Sequence, residues 1–133
     1  MRILVVEDEF ITRKLLLSIL SIYGECDVAV DGEEAVLAFT MAHEENRPYD
    51  LICLDILMPN KDGHQALKEI REKEKVRAIK GPDEVKILMM TVLGDPVNVF
   101  EAYNKGGATS YIVKPVDKIA LIEEIHKLGL LVK

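Results

Sequence analysis

Residues 1–10 read MRILVVEDEF, and the reading of that stretch decides the fold. RILVV (2–6) has the unbroken apolar, β-branched character of a buried strand. It stops abruptly at three carboxylates, Glu7, Asp8 and Glu9. Like charges repel, and burial sharpens the repulsion. A strand that delivers acid at its carboxyl end therefore needs a cation nearby.

Four more short apolar runs have the same character: CDVAV (26–30), DLICL (50–54), VKILMM (85–90) and SYIV (110–113). Helical patterns separate them. Ile11, Leu15, Ile19 and Ile22 recur at spacings of three and four, with Gly24 as a stop. Ala35, Phe39 and Ala42 mark a second helix opened by Asp31-Gly32, and Ala66, Leu67 and Ile70 a third. Asp95-Pro96 opens a fourth, with Val99, Phe100 and Tyr103 on one face and Gly106-Gly107 at its end. Asp117 opens the last, which turns Leu121, Ile125 and Leu128 inward.

Strands alternating with helices five times over predict an α/β, doubly wound, five-stranded parallel sheet with helices on both faces. The first, third and fourth strands are nearly all apolar and belong in the middle; the second carries Asp27 and the fifth is short, so both belong at edges. That favours the flavodoxin-like order 2-1-3-4-5 in one domain over residues 1–133.

Composition narrows the function. No apolar run approaches the ~20 residues of a membrane helix, and no signal peptide is evident, so a cytoplasmic protein without membrane insertion is expected. Net charge is −6, with no basic stripe, which argues against direct nucleic-acid contact. The densest basic stretch, REKEKVRAIK (71–80), alternates with acid and reads as a solvated helix face. Cys26 and Cys53 form no metal-binding motif, and His43, His64 and His126 stand alone.

Ligands of doubly wound sheets bind beyond the carboxyl ends of the strands, at the switch point between strands 1 and 3. Glu7 and Asp8 follow strand 1, Asp55 follows strand 3, Thr91 follows strand 4, and Lys114-Pro115 follows strand 5. Clustered carboxylates suit a hard divalent cation such as Mg2+. Lys114 and Thr91 suit phosphate oxygens. Metal on one side and ammonium on the other stabilise a transferring phosphoryl group, and a carboxylate between them can be its nucleophile. Asp55 is the natural candidate. Simpler roles exist for each residue alone: Asp55 as a turn residue, Glu7 and Asp8 as caps, Thr91 as an ordinary strand end. None explains the convergence of all of them.

Four pieces, ILVVEDEF, LICLDILMPNKDG, the MMT ending strand 4 and GGATSYIVKP, together resemble the receiver domain of two-component response regulators, and the resemblance covers essentially the whole chain. It implies that Asp55 accepts a phosphoryl group from a sensor histidine kinase or histidine phosphotransfer protein. It implies Mg2+ held by Glu7, Asp8, Asp55 and the backbone carbonyl of Leu57, with Glu7 acting through water. It gives Thr91 a hydrogen bond to the phosphoryl oxygens, Lys114 a salt bridge to them, Pro115 a preceding cis bond, and Tyr111 the role of switch aromatic. Met58 and Pro59 shape the loop without chemistry.

Two departures stand out. Val92 follows Thr91 where the family mostly has a small residue, which is expected to slow phosphorylation and hydrolysis. The stretch 69–84 is long for the family and suggests a third helix extended outward and stopped by Gly81-Pro82, read as a harmless extension. An aspartyl-nucleophile phosphatase is the enzyme rival, but it would place an acid two residues after the nucleophile, where this chain has Leu57. A flavodoxin-like cofactor binder would need a glycine- and hydroxyl-rich loop where this chain has EDEF. A receiver-like module that is never phosphorylated would have no need of the complete set of acids, Thr91 and Lys114. Self-catalysed phosphotransfer, rather than dedicated turnover, is the expectation. With the chain ending at HKLGLLVK, output is expected through an unidentified protein target at the face of the fourth helix, fifth strand and fifth helix.

Overall fold

The computed structural model describes residues 1–58, 60–92 and 107–130. Five strands, β1 (Arg2–Val6), β2 (Glu25–Ala29), β3 (Leu51–Asp55), β4 (Lys86–Val92) and β5 (Ser110–Lys114), form one parallel sheet in the order β2-β1-β3-β4-β5. The helices are α1 (Phe10–Leu20), α2 (Gly32–Glu44), α3 (Gly63–Val76) and α4 (Lys118–Lys127). The fourth helix expected from sequence, opened by Asp95-Pro96, falls at 93–106, outside the described residues.

The alternation of side chains along a strand explains why β1 and β3 must be apolar throughout. Ile3, Val5, Leu51 and Cys53 point into a core with Leu16, Ile19 and Leu20 of α1 and Leu121 and Ile125 of α4. Leu4, Val6, Ile52 and Leu54 point the other way, to Phe39 of α2 and Leu67 and Ile70 of α3. Both faces are covered, so every residue from Ile3 to Val6 and from Leu51 to Leu54 is fully buried.

Two readings of the sequence need correction. The inward stripe of α1 is Leu16, Ile19 and Leu20, whereas Ile11 and Leu15 are 70% and 42% exposed, and Ile22, past the helix end, is 74% exposed. LLLSIL is apolar around most of its circumference, so periodicity alone supports two stripes; packing against the sheet selects the one containing adjacent turns 16 and 20.

The third helix does not run out to the proline turn. It stops at Val76, where Ala78 takes a left-handed φ of 61° and its N–H returns to the Lys75 carbonyl at 3.0 Å. A short 3-10 turn over Gly81–Asp83 then leads into β4. The cause is Glu74, only 1% exposed: its carboxylate pairs with Arg71 at 2.6 Å and accepts the Val85 N–H at 2.7 Å. Arg71 also donates to the Val85 carbonyl at 3.0 Å and the Gly107 carbonyl at 2.9 Å. The stretch is therefore tied back into the fold, and Arg71 and Glu74 do not belong to a solvated face.

Candidate functional site

At the carboxyl ends of β1, β3, β4 and β5 the apolar runs give way to polar residues, which therefore gather at one edge of the sheet. Val6 of β1 pairs with Leu54 of β3, and Asp55 pairs with Met90, which sets Thr91 one residue further along β4. Val92 in turn pairs with Lys114 of β5. The register thus lines up Glu7, Asp55, Thr91 and Lys114 across four adjacent strands.

Glu7 is fully buried and Asp55 is 5% exposed, while Asp8 is open to solvent. Carboxylate oxygens of the three lie within 4.8 Å of one another. Lys114 is the internal counter-ion, with Nζ 2.7 Å from Glu7 Oε1 and 3.1 Å from Asp55 Oδ2. The other Glu7 oxygen accepts the Glu9 N–H at 3.1 Å. Arg13 reaches back from α1 to the Glu7 and Asp8 carbonyls at 3.0 and 3.3 Å and fixes the turn that presents both acids.

Burial raises the Glu7 pKa above its ordinary value, and the Asp55 charge adds to that, against the opposing pull of Lys114. For Lys114 burial works downward, but the hydrogen bond to Glu7 and the charge of Asp55 outweigh it, so its pKa is raised. The ammonium is held firmly charged between two acids. A second cation on the solvent side, beside exposed Asp8, would meet the carboxylate oxygens of Glu7, Asp8 and Asp55, and that donor set suits Mg2+.

The loop from β3 to α3 is built around a close approach. A Cβ on Gly63 would lie 2.3 Å from the Asp55 carbonyl oxygen, so only glycine lets the start of α3 sit against the end of β3. The Gly63 N–H donates to the Ile56 carbonyl at 2.8 Å. Asp62 caps α3 by accepting the Gln65 N–H, while the Gln65 side chain accepts the Asp62 N–H.

Thr91 is 3% exposed at the β4 end, its hydroxyl 3.4 Å from the Val92 carbonyl. Leu57 follows two residues after Asp55 with its side chain 59% exposed. The Lys114–Pro115 bond is cis. Tyr111 lies on β5 opposite Met89, two rungs of the ladder before Thr91, with its ring on the exposed side of the strand. Glu7, Asp8, Asp55 and Lys114 are thus brought together, Thr91 stands beside them, and Tyr111 sits further down the strand. The roles of Gly63 and Arg13 escaped the sequence reading: Gly63 acts through a close approach to the Asp55 carbonyl, and nothing in the local pattern marks Arg13.

A parallel sheet in this order, with acids at the switch point and a lysine closing the far side, is a flavodoxin-like fold with a charged site at its carboxyl edge. The chain belongs to the response regulator receiver domain family, whose sequence model matches residues 3–126. Among curated proteins it is 34% identical over 128 residues to the probable transcriptional regulator ycf27 of Cyanophora paradoxa, covering 96% of this chain and 47% of that one. The chain spans about half the length of that relative, or less for others it matches.

Among solved structures it resembles the CheX-CheY-BeF3-Mg complex of Borrelia burgdorferi, with TM-score 0.82, 29% identity, and 98% and 90% of the two chains covered. It also resembles the complex of the Saccharomyces cerevisiae phosphotransfer protein Ypd1 with the receiver domain of Ssk1, with TM-score 0.83, 27% identity, and 100% and 93% covered. Receiver domains are parts of two-component signalling systems, not classical enzymes. Among the described residues no helix is long and apolar enough to cross a membrane.

Proposed function

We propose that residues 1–133 form one receiver domain that is phosphorylated on Asp55 by the phosphohistidine of a sensor histidine kinase or histidine phosphotransfer protein. The observation that carries this reading is the placement of Asp55 in a cluster of three carboxylates with the Lys114 ammonium 3.1 Å away. An Asp55 carboxylate oxygen attacks phosphorus and forms the new P–O bond. The P–N bond to the donor imidazole breaks, and its electron pair stays on the imidazole nitrogen. Lys114 stays between Asp55 and Glu7 and stabilises charge on the phosphoryl oxygens. Thr91 donates its hydroxyl to one of them.

Glu7, Asp8, Asp55 and the Leu57 carbonyl would hold Mg2+, which when bound supplies positive charge against the phosphoryl oxygens. Asp8, the exposed member of the set, gives the ion its solvent-side ligand. No acid stands two residues after Asp55, which favours self-limited transfer over phosphatase turnover. The phosphoryl group puts roughly −2 of charge where the carboxylate carried a single negative charge, and that change is passed outward through Thr91 and Tyr111 to a protein target, on the face of β5 and α4. The protein acts in the cytoplasm, through protein contacts and not through direct nucleic-acid binding by this domain.

The test is transfer from a phosphorylated histidine phosphotransfer protein carrying radiolabel. Label should move to this chain only with Mg2+ and only when Asp55 is present. Transfer to an Asp55→Asn variant at the wild-type rate refutes the assignment.

A further inference from the structure

Between Ile56 and Gly63 the chain turns back from the end of β3 to the start of α3, and the metal site proposed above requires the Leu57 carbonyl to face the acid cluster. The near end of this loop is fixed by the Ile56 N–H, which donates to the Met90 carbonyl at 3.1 Å, and Met58 packs against the core. The far end is fixed by the start of α2. The Gly32 N–H donates to the Lys61 carbonyl at 2.9 Å, and the approach is so close that a Cβ on Gly32 would lie 2.2 Å from that oxygen.

Beside this contact the Asp31 carboxylate uses both oxygens. Oδ1 caps α2 by accepting the Glu34 N–H at 2.9 Å, and Oδ2 accepts from the Asn60 side-chain amide, also at 2.9 Å. Asn60 itself has a φ of 64°, a left-handed conformation that asparagine tolerates better than most residues. Both hydrogen bonds favour the ionised form of Asp31, whose pKa is lowered, first by the Glu34 N–H and then by Asn60. One side chain therefore joins the cap of α2 to the loop that follows the phosphoacceptor strand.

We propose that Asp31 and Asn60 are positioning residues for the metal site: their hydrogen bond, at Asn60, anchors the stretch that follows Asp55 so that the Leu57 carbonyl would face the ion held by Glu7, Asp8 and Asp55. This rests on the reading of those residues as a Mg2+ site. Neither Asp31 nor Asn60 touches the ion. Partners that orient a ligand commonly control metal affinity by about tenfold or more when lost.

The experiment is the Mg2+ dissociation constant of the full chain, measured by calorimetry, with backbone NMR shifts of Ile56 and Gly63 recorded through the same titration. Asp31→Ser keeps an oxygen to cap α2 but cannot reach Asn60. Asn60→Gly keeps the left-handed backbone and removes the amide. Each should weaken Mg2+ by about tenfold. Glu33→Gln, which removes a negative charge from the first turn of the same helix, should change it less than twofold, roughly the electrostatic effect of one exposed charge. The double exchange Asp31→Asn with Asn60→Asp reverses donor and acceptor at constant net charge and should recover most of the loss.

Asp8→Asn separates the two claims. If it abolishes binding while Asp31→Ser and Asn60→Gly bind like wild type, the metal site stands and the positioning role is wrong. If Asp8→Asn binds Mg2+ as wild type does, the metal site falls and the positioning role with it.

Discussion

Replacing Lys114 by methionine removes the ammonium that the structure sets between Glu7 and Asp55. Methionine preserves the volume of the stem, so the perturbation is electrostatic. Glu7 is fully buried and cannot turn to solvent, so it is left ionised without its counter-ion. Removing one partner of a buried pair costs about 3–5 kcal/mol, and the solvent exposure of nearby Asp8 places this site at the low end, about 3 kcal/mol. At roughly 3–4 °C per kcal/mol for a domain of this size, the thermal midpoint should fall by about 10 °C near neutral pH.

The deficit should depend on pH in a defined direction. The folded state raises the Glu7 pKa above the reference value of 4.5, chiefly by burial, so folding favours the protonated acid. Stability from this group is fully present below that reference value and is lost as pH rises through the raised folded value. Without Lys114 the folded value moves higher still, so the deficit is smaller at about pH 5 than at about pH 7.5. Mg2+, as a replacement cation, should restore part of the lost stability at the higher pH. Melting curves of both proteins at the two pH values, with and without Mg2+, test this. A deficit independent of both pH and Mg2+ would refute the electrostatic account and point to lost packing instead.

Other consequences follow from the same geometry. Glu74→Ala removes the carboxylate that pairs with Arg71 and leaves the Val85 N–H without its acceptor, and should cost about 3 kcal/mol in denaturant unfolding; an effect below about 1 kcal/mol would mean that the stretch after α3 is not anchored there. Gly63→Ala drives a methyl group into the Asp55 carbonyl and should cost about 2–4 kcal/mol while slowing phosphorylation, as thermal melts and labelling rates would reveal. Val92→Ala should speed both labelling by small phosphodonors and loss of the label, because Val92 stands 46% exposed at the β4 end, opposite Lys114 in the ladder; unchanged rates would clear Val92 of any gating role.

Most of the fold is legible in the chain because a parallel sheet covered on both faces leaves no ambiguity in its central strands. RILVV and LICL can only be buried, and their polar successors mark the edge where a site forms. Glu7, Asp55 and Lys114 were legible for that reason, each being the first charged group after an apolar run, and Asp8 stands directly beside Glu7. Periodicity failed where apolar residues surround a helix, as in α1, and where a charged residue folds inward, as Glu74 does in a stretch that otherwise reads as solvated. Burial of Glu74 depends on Arg71 and on the Val85 N–H eleven residues away, a contact that no local pattern encodes. The Asp31–Asn60 bond spans 29 residues and was hidden for the same reason.

The central claim is that Asp55 accepts a phosphoryl group with the help of a metal held by its acidic neighbours. Intact mass after mixing the protein with Mg2+ and a small phosphodonor, with and without hydroxylamine and beside an Asp55→Asn control, tests it most directly. A single phosphoryl adduct that needs Mg2+, is released by hydroxylamine and is missing from the control is the expected result. No adduct from either a small donor or a competent histidine kinase, or an adduct that persists in Asp55→Asn, would contradict it.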